Sequence, residues 1–203
     1  MVVVIAVIFG LTKMGNTAST TTVDQQVILT GARFVKENPS TGSGSIKVTV
    51  VTFSDMQCPS CKRANVMLKP LETMPGVKNV TRLFPLPVNV HKYALISAHA
   101  VEAARSLGKG WEMMAVLFDK QDEWSVADKP EQKFTEYAKS LGLDEKQFMD
   151  KLNSKEVADN VQIDASLASQ LQLAGTPTIF VNGEQVGVDF VLDKVKSLLA
   201  NNK

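Results

Sequence analysis

Cys58 and Cys61 are the only cysteines in the 203-residue chain, and they stand C-x-x-C in "FSDMQCPSCKRANVMLKPL" (residues 53–71). That spacing serves three chemistries: half of a metal site, a short structural disulfide, or a redox pair. A structural zinc takes four ligands, usually from a second such motif or from closely spaced histidines. The remaining ligand types here are His91 and His99, far downstream, so no metal is expected. A structural disulfide across one helical turn would close a very small loop, where the entropic gain is least. Position favours the redox reading. "IKVTVVTF" (46–53) is β-branched and almost continuously apolar, as a buried central strand should be. Pro59 suits the first turn of a helix, Val66, Met67 and Leu71 supply an apolar face, and Pro70 ends or kinks it. Cys58 then sits at a helix N-terminus, where free N–H groups and the helix dipole favour a thiolate. Cys61 lies one turn further in and deeper. The outer sulfur can attack or be attacked, and the inner one resolves the mixed disulfide.

The surrounding elements follow an α/β pattern. "VILTGARFV" (27–35) reads as a short strand broken at Gly31, and "ENPSTGSGS" (37–45) as a loop. "VKNVTRLFPLPV" (77–88) predicts a further strand, closed by Pro85 and Pro87. A helical block follows, with Gly108 and Gly142 as stops, Pro130 as a start, and Asp144 and Ser154 as caps. "TPTIFVNGEQVGV" predicts two short strands joined by a type I′ turn at Asn182-Gly183, and "DFVLDKVKSLLANN" a last amphipathic helix. Thr176-Pro177 opens the first of those strands. A cis bond there would turn a backbone edge toward the cysteines.

Composition is that of one globular domain with a tail: 44% hydrophobic, 21% charged. A net charge of +1, with no basic run, argues against nucleic acid or an anionic membrane surface as the main partner. The apolar start "MVVVIAVIFGL" is shorter than the roughly 20 residues a spanning helix needs. It has the length of a signal-peptide core, without a positive flank or a good cleavage site. Residues 1–26 are therefore expected to be an export signal or the remnant of a membrane anchor, with a flexible tether, and residues 27–203 the folded domain.

"VTVVTFSDMQCPSC", "RLFPLP" with His91 nearby, "GKGWEMMAVLFD", "SLGLDEKQFMDKL" and "AGTPTIFVNG" together resemble the DsbA-like thioredoxin-fold oxidoreductases, over almost the whole domain from about residue 38. The resemblance implies a thioredoxin fold with a helical subdomain inserted at about residues 90–170. It implies an extracytoplasmic thiol–disulfide oxidoreductase, secreted or tethered by its N-terminus, without cofactor and monomeric. Its substrates would be thiols of exported proteins, and a quinone-linked membrane enzyme would recharge it. By matching position, Cys58 is the nucleophile, Cys61 the resolving cysteine, and Pro59 and Ser60 the pair that tunes the potential. Thr176 and Pro177 match the cis-proline loop that pairs with substrate backbone. Trp111 matches a structural aromatic.

Two positions depart from the pattern. Relatives commonly hold a buried acid where this chain has Thr52, so the proton of Cys61 would pass by water or by Asp55. Asp55 reads equally well as a solvated loop charge. The strongest oxidants carry histidine where Ser60 stands, and a hydroxyl holds a thiolate less well, predicting a milder couple. Oxidase action is favoured over isomerase or reductase action. Service to a quinone-linked membrane enzyme and a peptide-binding chaperone or adaptor role are the alternatives.

Overall fold

The computed structural model describes residues 21–39 and 44–201. The expectations for the apolar start lie outside the described residues. Strand β2 (Val48–Ser54) is central, as its run of β-branched residues requires. It pairs in parallel with β3 (Val77–Leu83) and antiparallel with β4 (Thr178–Val181). The edges are β1 (Phe34–Asn38) on β3 and β5 (Glu184–Gln185) on β4, giving the order β1-β3-β2-β4-β5. Helices α1 (Gln25–Leu29) and α2 (Pro59–Leu68) flank the first half of the sheet. Six helices then intervene before β4: α3 (Ala94–Ser106), α4 (Gly110–Asp119), α5 (Gln121–Trp124), α6 (Pro130–Ser140), α7 (Glu145–Leu152) and α8 (Lys155–Gln170). Helix α9 (Val191–Asn201) closes the domain. This is a thioredoxin fold carrying an inserted helical block.

Strand alternation divides the core. Val48, Val50, Val77, Ile179 and Val181 face one way, against Leu68 and Leu71 and against Val191 and Val195 of α9. Val51, Phe53, Val80 and Phe180 face the other way, against Ile28 of α1 and Ala168 of α8. The helical block has its own centre, where Trp124 and Phe134 meet edge to face at 5.3 Å.

The N-terminal part differs from the sequence reading. Residues 27–35 are not one broken strand: α1 occupies Gln25–Leu29, Gly31 turns the chain at φ +71°, and β1 begins only at Phe34. Asp24 caps α1 by accepting the Gln26 N–H at 2.8 Å. A five-residue helix has little stability of its own, so burial of Ile28 decides the outcome over the β-propensity of "VIL". Residues 21–23, within the expected tether, are bound to the sheet. Val23 N–H donates to Gly183 O (2.8 Å), and Gln185 N–H to Thr21 O (2.9 Å). Asn182 and Gly183 both have positive φ, as a type I′ turn demands, and a Cβ on Gly183 would collide with the Val23 carbonyl.

A buried ionic cluster joins sheet and insert. Arg82, fully buried on β3, donates to Asp164 Oδ1 (2.8 Å) on α8 and to the carbonyls of Ile28 and Thr30. The other oxygen, Asp164 Oδ2, accepts Leu83 N–H and Arg33 Nη2, each at 3.0 Å. Arg33 also pairs with the buried Glu102 of α3 at 3.2 Å, and Glu102 accepts Arg105 and Asn160. Removing one member leaves uncompensated buried charge, which costs about 3–5 kcal/mol. Asp164→Ala should therefore lower the stability measured by urea unfolding by about that amount.

Candidate active site

The chain leaves β2 at Ser54 and enters α2 at Pro59, with Cys58 as the N-cap in extended conformation (φ −73°, ψ 120°). Proline at the first helical position supplies the right φ and has no N–H to leave unpaired. Cys58 is 6% exposed, Cys61 is 1% exposed, and both thiols are free. The entry loop is held from three sides. Cys58 N–H donates to Asp55 O at 3.2 Å, and Asp55 N–H points at Cys61 Sγ at 3.5 Å. Gln121 of α5 donates through Nε2 to the carbonyls of Met56 (2.7 Å) and Cys58 (3.1 Å). Lys62 meets Asp122 at 2.8 Å on the outside. The inserted block thus grips the loop that carries the outer sulfur.

Thr176-Pro177 is a cis peptide, and the Thr176 carbonyl lies 3.4 Å from Cys58 Sγ. The Thr176 hydroxyl is buried beside the sulfurs without another protein partner. A hydrogen bond from Cys61 is the main influence lowering the Cys58 thiol to about 5, aided by Thr176 and the backbone N–H groups of Ser60 and Cys61; burial works against it. The Cys61 thiol moves the opposite way, because that hydrogen bond keeps its proton in place and burial disfavours its anion. Ser60 Oγ accepts Arg63 Nη2 at 3.1 Å and leaves the thiolate to its backbone donors.

Asp55 is not a solvated loop charge. It is buried, and its carboxylate accepts Gln57 N–H (2.8 Å) and Leu86 N–H (3.1 Å) while meeting His91 Nδ1 at 2.7 Å. The carboxylate therefore ties the loop after β3 to the loop before Cys58, and its backbone N–H, not its side chain, meets the inner sulfur. His91 also lines an apolar groove of about 540 Å³, together with Pro87, Val88, Leu95 and His99, whose pKa is lowered by burial. Thr52 lines a small cavity beneath Cys61, which Trp111 also touches. Trp111 packs edge to face on Phe34 at 5.8 Å, a core role. Pro59, Ser60, Thr176 and Pro177 all gather around Cys58. Gln121 was missed from sequence, since nothing local marks a glutamine in the insert as a brace for a distant loop.

Comparison with known proteins agrees with this geometry. Residues 35–201 match the Thioredoxin family. Na(+)/H(+) antiporter NhaA 3 of Salinispora tropica is 37% identical over 145 residues, 71% of this chain but 21% of the antiporter. NhaA 1 of Mycolicibacterium vanbaalenii is 36% identical over 67% of this chain and 22% of its own length. The chain spans about a fifth of the length of these curated relatives. A thioredoxin-like oxidoreductase from Silicibacter pomeroyi DSS-3 superposes with a TM-score of 0.70 at 25% identity, covering 89% of this chain and 99% of that one. The thiol-disulfide exchange protein alpha-DsbA2 from Wolbachia pipientis gives 0.68 at 20% identity, covering 85% and 90%.

A hydroxyl donating to a thiolate contributes on the order of 1 kcal/mol. Thr176→Val should raise the Cys58 pKa from about 5 to about 6, read from the pH dependence of alkylation. The chain belongs to the thioredoxin family and shares the fold of the DsbA-like structures.

Proposed function

We propose that the chain acts outside the cytoplasm as an oxidase that introduces disulfides into exported proteins. The observation that carries this reading is the opposed behaviour of the two thiols: Cys58 is lowered to about 5 while Cys61 is held protonated. A stabilised Cys58 thiolate favours the reduced pair, and a couple with a favoured reduced form accepts electrons readily. A substrate thiolate attacks Cys58 of the oxidised pair, breaking the Cys58–Cys61 bond and leaving its electron pair on Cys61. A second substrate thiolate then attacks the substrate sulfur and expels Cys58 as a thiolate. Substrate has lost two electrons and the pair has gained them. A groove of about 330 Å³ bordered by Ser60, Arg63, Met67 and Pro177 gives an extended peptide a place beside Cys58.

Recharging would fall to a quinone-linked membrane enzyme. Among the described residues no helix is long and apolar enough to cross a membrane. Similarity to stretches of Na(+)/H(+) antiporters supports a second reading of that arrangement, in which the domain serves next to a membrane protein.

Equilibration with glutathione tests the direction. The oxidase reading expects a potential less negative than about −200 mV; a more negative value assigns the pair to reduction. Alkylation of Cys58 should follow a single ionisation with a midpoint near pH 5. The same ionisation links to stability. Cys58 titrates at about 5 when folded and near 8.5 when unfolded, so its contribution is complete above the unfolded value and is lost as pH falls through 5. The advantage of the reduced over the oxidised form in urea should therefore shrink between pH 7 and pH 4. Cys58→Ser should abolish disulfide formation in a reduced client; a variant that keeps its biological function would instead favour a peptide-binding adaptor.

A further inference from the structure

The face of the sheet beneath α2 changes character along its length. Val48, Val50 and Val77 are packed core. Further along the same two strands the residues on that face are Thr52 and Ser54 on β2, and Asn79 and Thr81 on β3, with Thr52 and Thr81 opposite each other in register. These four side chains line a cavity of about 40 Å³ that also touches Cys61, Asn65 and Glu72. Ser54 and Thr81 are buried and line this cavity with polar side chains. Buried hydroxyls are normally satisfied, by protein or by ordered water. A water needs about 10–15 Å³ and two to four polar partners, so the cavity has room for roughly three.

The inner thiol needs such a route. Cys61 is 1% exposed, and burial together with the hydrogen bond to Cys58 holds its proton on. Among the residues lining the cavity, Glu72 is the one other than Cys61 that ionises. Its side chain is 38% exposed and pairs with Lys36 at 3.3 Å, so it reaches solvent as well as the cavity. We propose that water held by Thr52, Ser54, Asn79 and Thr81 carries the proton between Cys61 and Glu72, in place of a carboxyl group beside the sulfur. When Cys61 leaves as a thiolate it takes a proton from this water; when Cys61 attacks, it gives one up. Thr52, Thr81 and Glu72 are then positioning and relay residues, which act on the inner sulfur and not on the outer one.

This inference rests on the redox reading of the pair, and one experiment separates the two. Reduced full chain is mixed in stopped flow with dithiobis(nitrobenzoate), in light and in heavy water. In the first phase the Cys58 thiolate attacks the reagent, forming a mixed disulfide and releasing one nitrothiobenzoate. In the second, Cys61 loses its proton and attacks Cys58 Sγ; the bond to the aromatic sulfur breaks and a second nitrothiobenzoate leaves with the electron pair. Wild type should show a solvent isotope effect on the second phase. Thr52→Val/Thr81→Val should slow that phase by about tenfold or more while leaving the first within about twofold, which also reports an intact fold. Glu72→Gln, near the surface, should slow the second phase several-fold and keeps the test available if the double variant does not fold. An unchanged second phase in Glu72→Gln and in any folded hydroxyl variant overturns the relay alone. Failure of wild type to release the second equivalent overturns the redox reading, and the relay with it.

Discussion

Arg82 carries a full positive charge with no access to water, and the architecture around it is arranged to make that tolerable. Its guanidinium is shared between the Asp164 carboxylate and two carbonyls at the end of α1, so β3, α8 and the N-terminal segment meet at one side chain. A lone charge there would be prohibitive, whereas a hydrogen-bonded one fixes geometry. The consequences reach the active site in short steps. Asp164 also holds Leu83 N–H, Phe84 N–H then meets Ser54 O (2.8 Å), and Leu86 N–H meets Asp55. Asp55 in turn supplies the backbone groups that set both cysteines.

The redox centre works by contrast between two chemically identical groups. A helix N-terminus, a facing carbonyl loop and a neighbouring thiol act on both sulfurs, but one side of α2 opens to solvent and the other looks into the protein. Position alone makes one sulfur an acid of ordinary carboxylic strength and the other a reluctant proton donor. No metal or cofactor enters that account, and the tuning groups are mostly backbone.

Local features of the sequence were legible because their physics is local. The cysteine pair after a β-branched run, Pro59 at a helix start, Asn182-Gly183 in a hairpin and Thr176-Pro177 before a strand each carry their own geometry. What was illegible depends on residues far apart in the chain. Asp164 is 82 positions from Arg82, and as part of an amphipathic helix it resembles any solvent-facing acid. Asp55 looked equally at home in water until the Pro85–Pro87 turn and His91 closed over it. The misreading of residues 27–35 has the same origin: burial of Ile28 against the sheet decides a helix that propensity does not favour.

The seat of Thr21, Thr22 and Val23 on the Asn182-Gly183 turn has a geometric corollary. Because β4 runs antiparallel to β2, with Val181 opposite Val50 and Thr178 opposite Phe53, that turn lies near the start of β2, while Cys58 follows its end. A seven-residue strand, about 20 Å long, separates the two. Anything joined ahead of Thr21 meets the domain at its base, and the sulfurs crown the opposite pole. The fold thus sets the reactive thiol at the far end of the domain from the place where the preceding chain enters it.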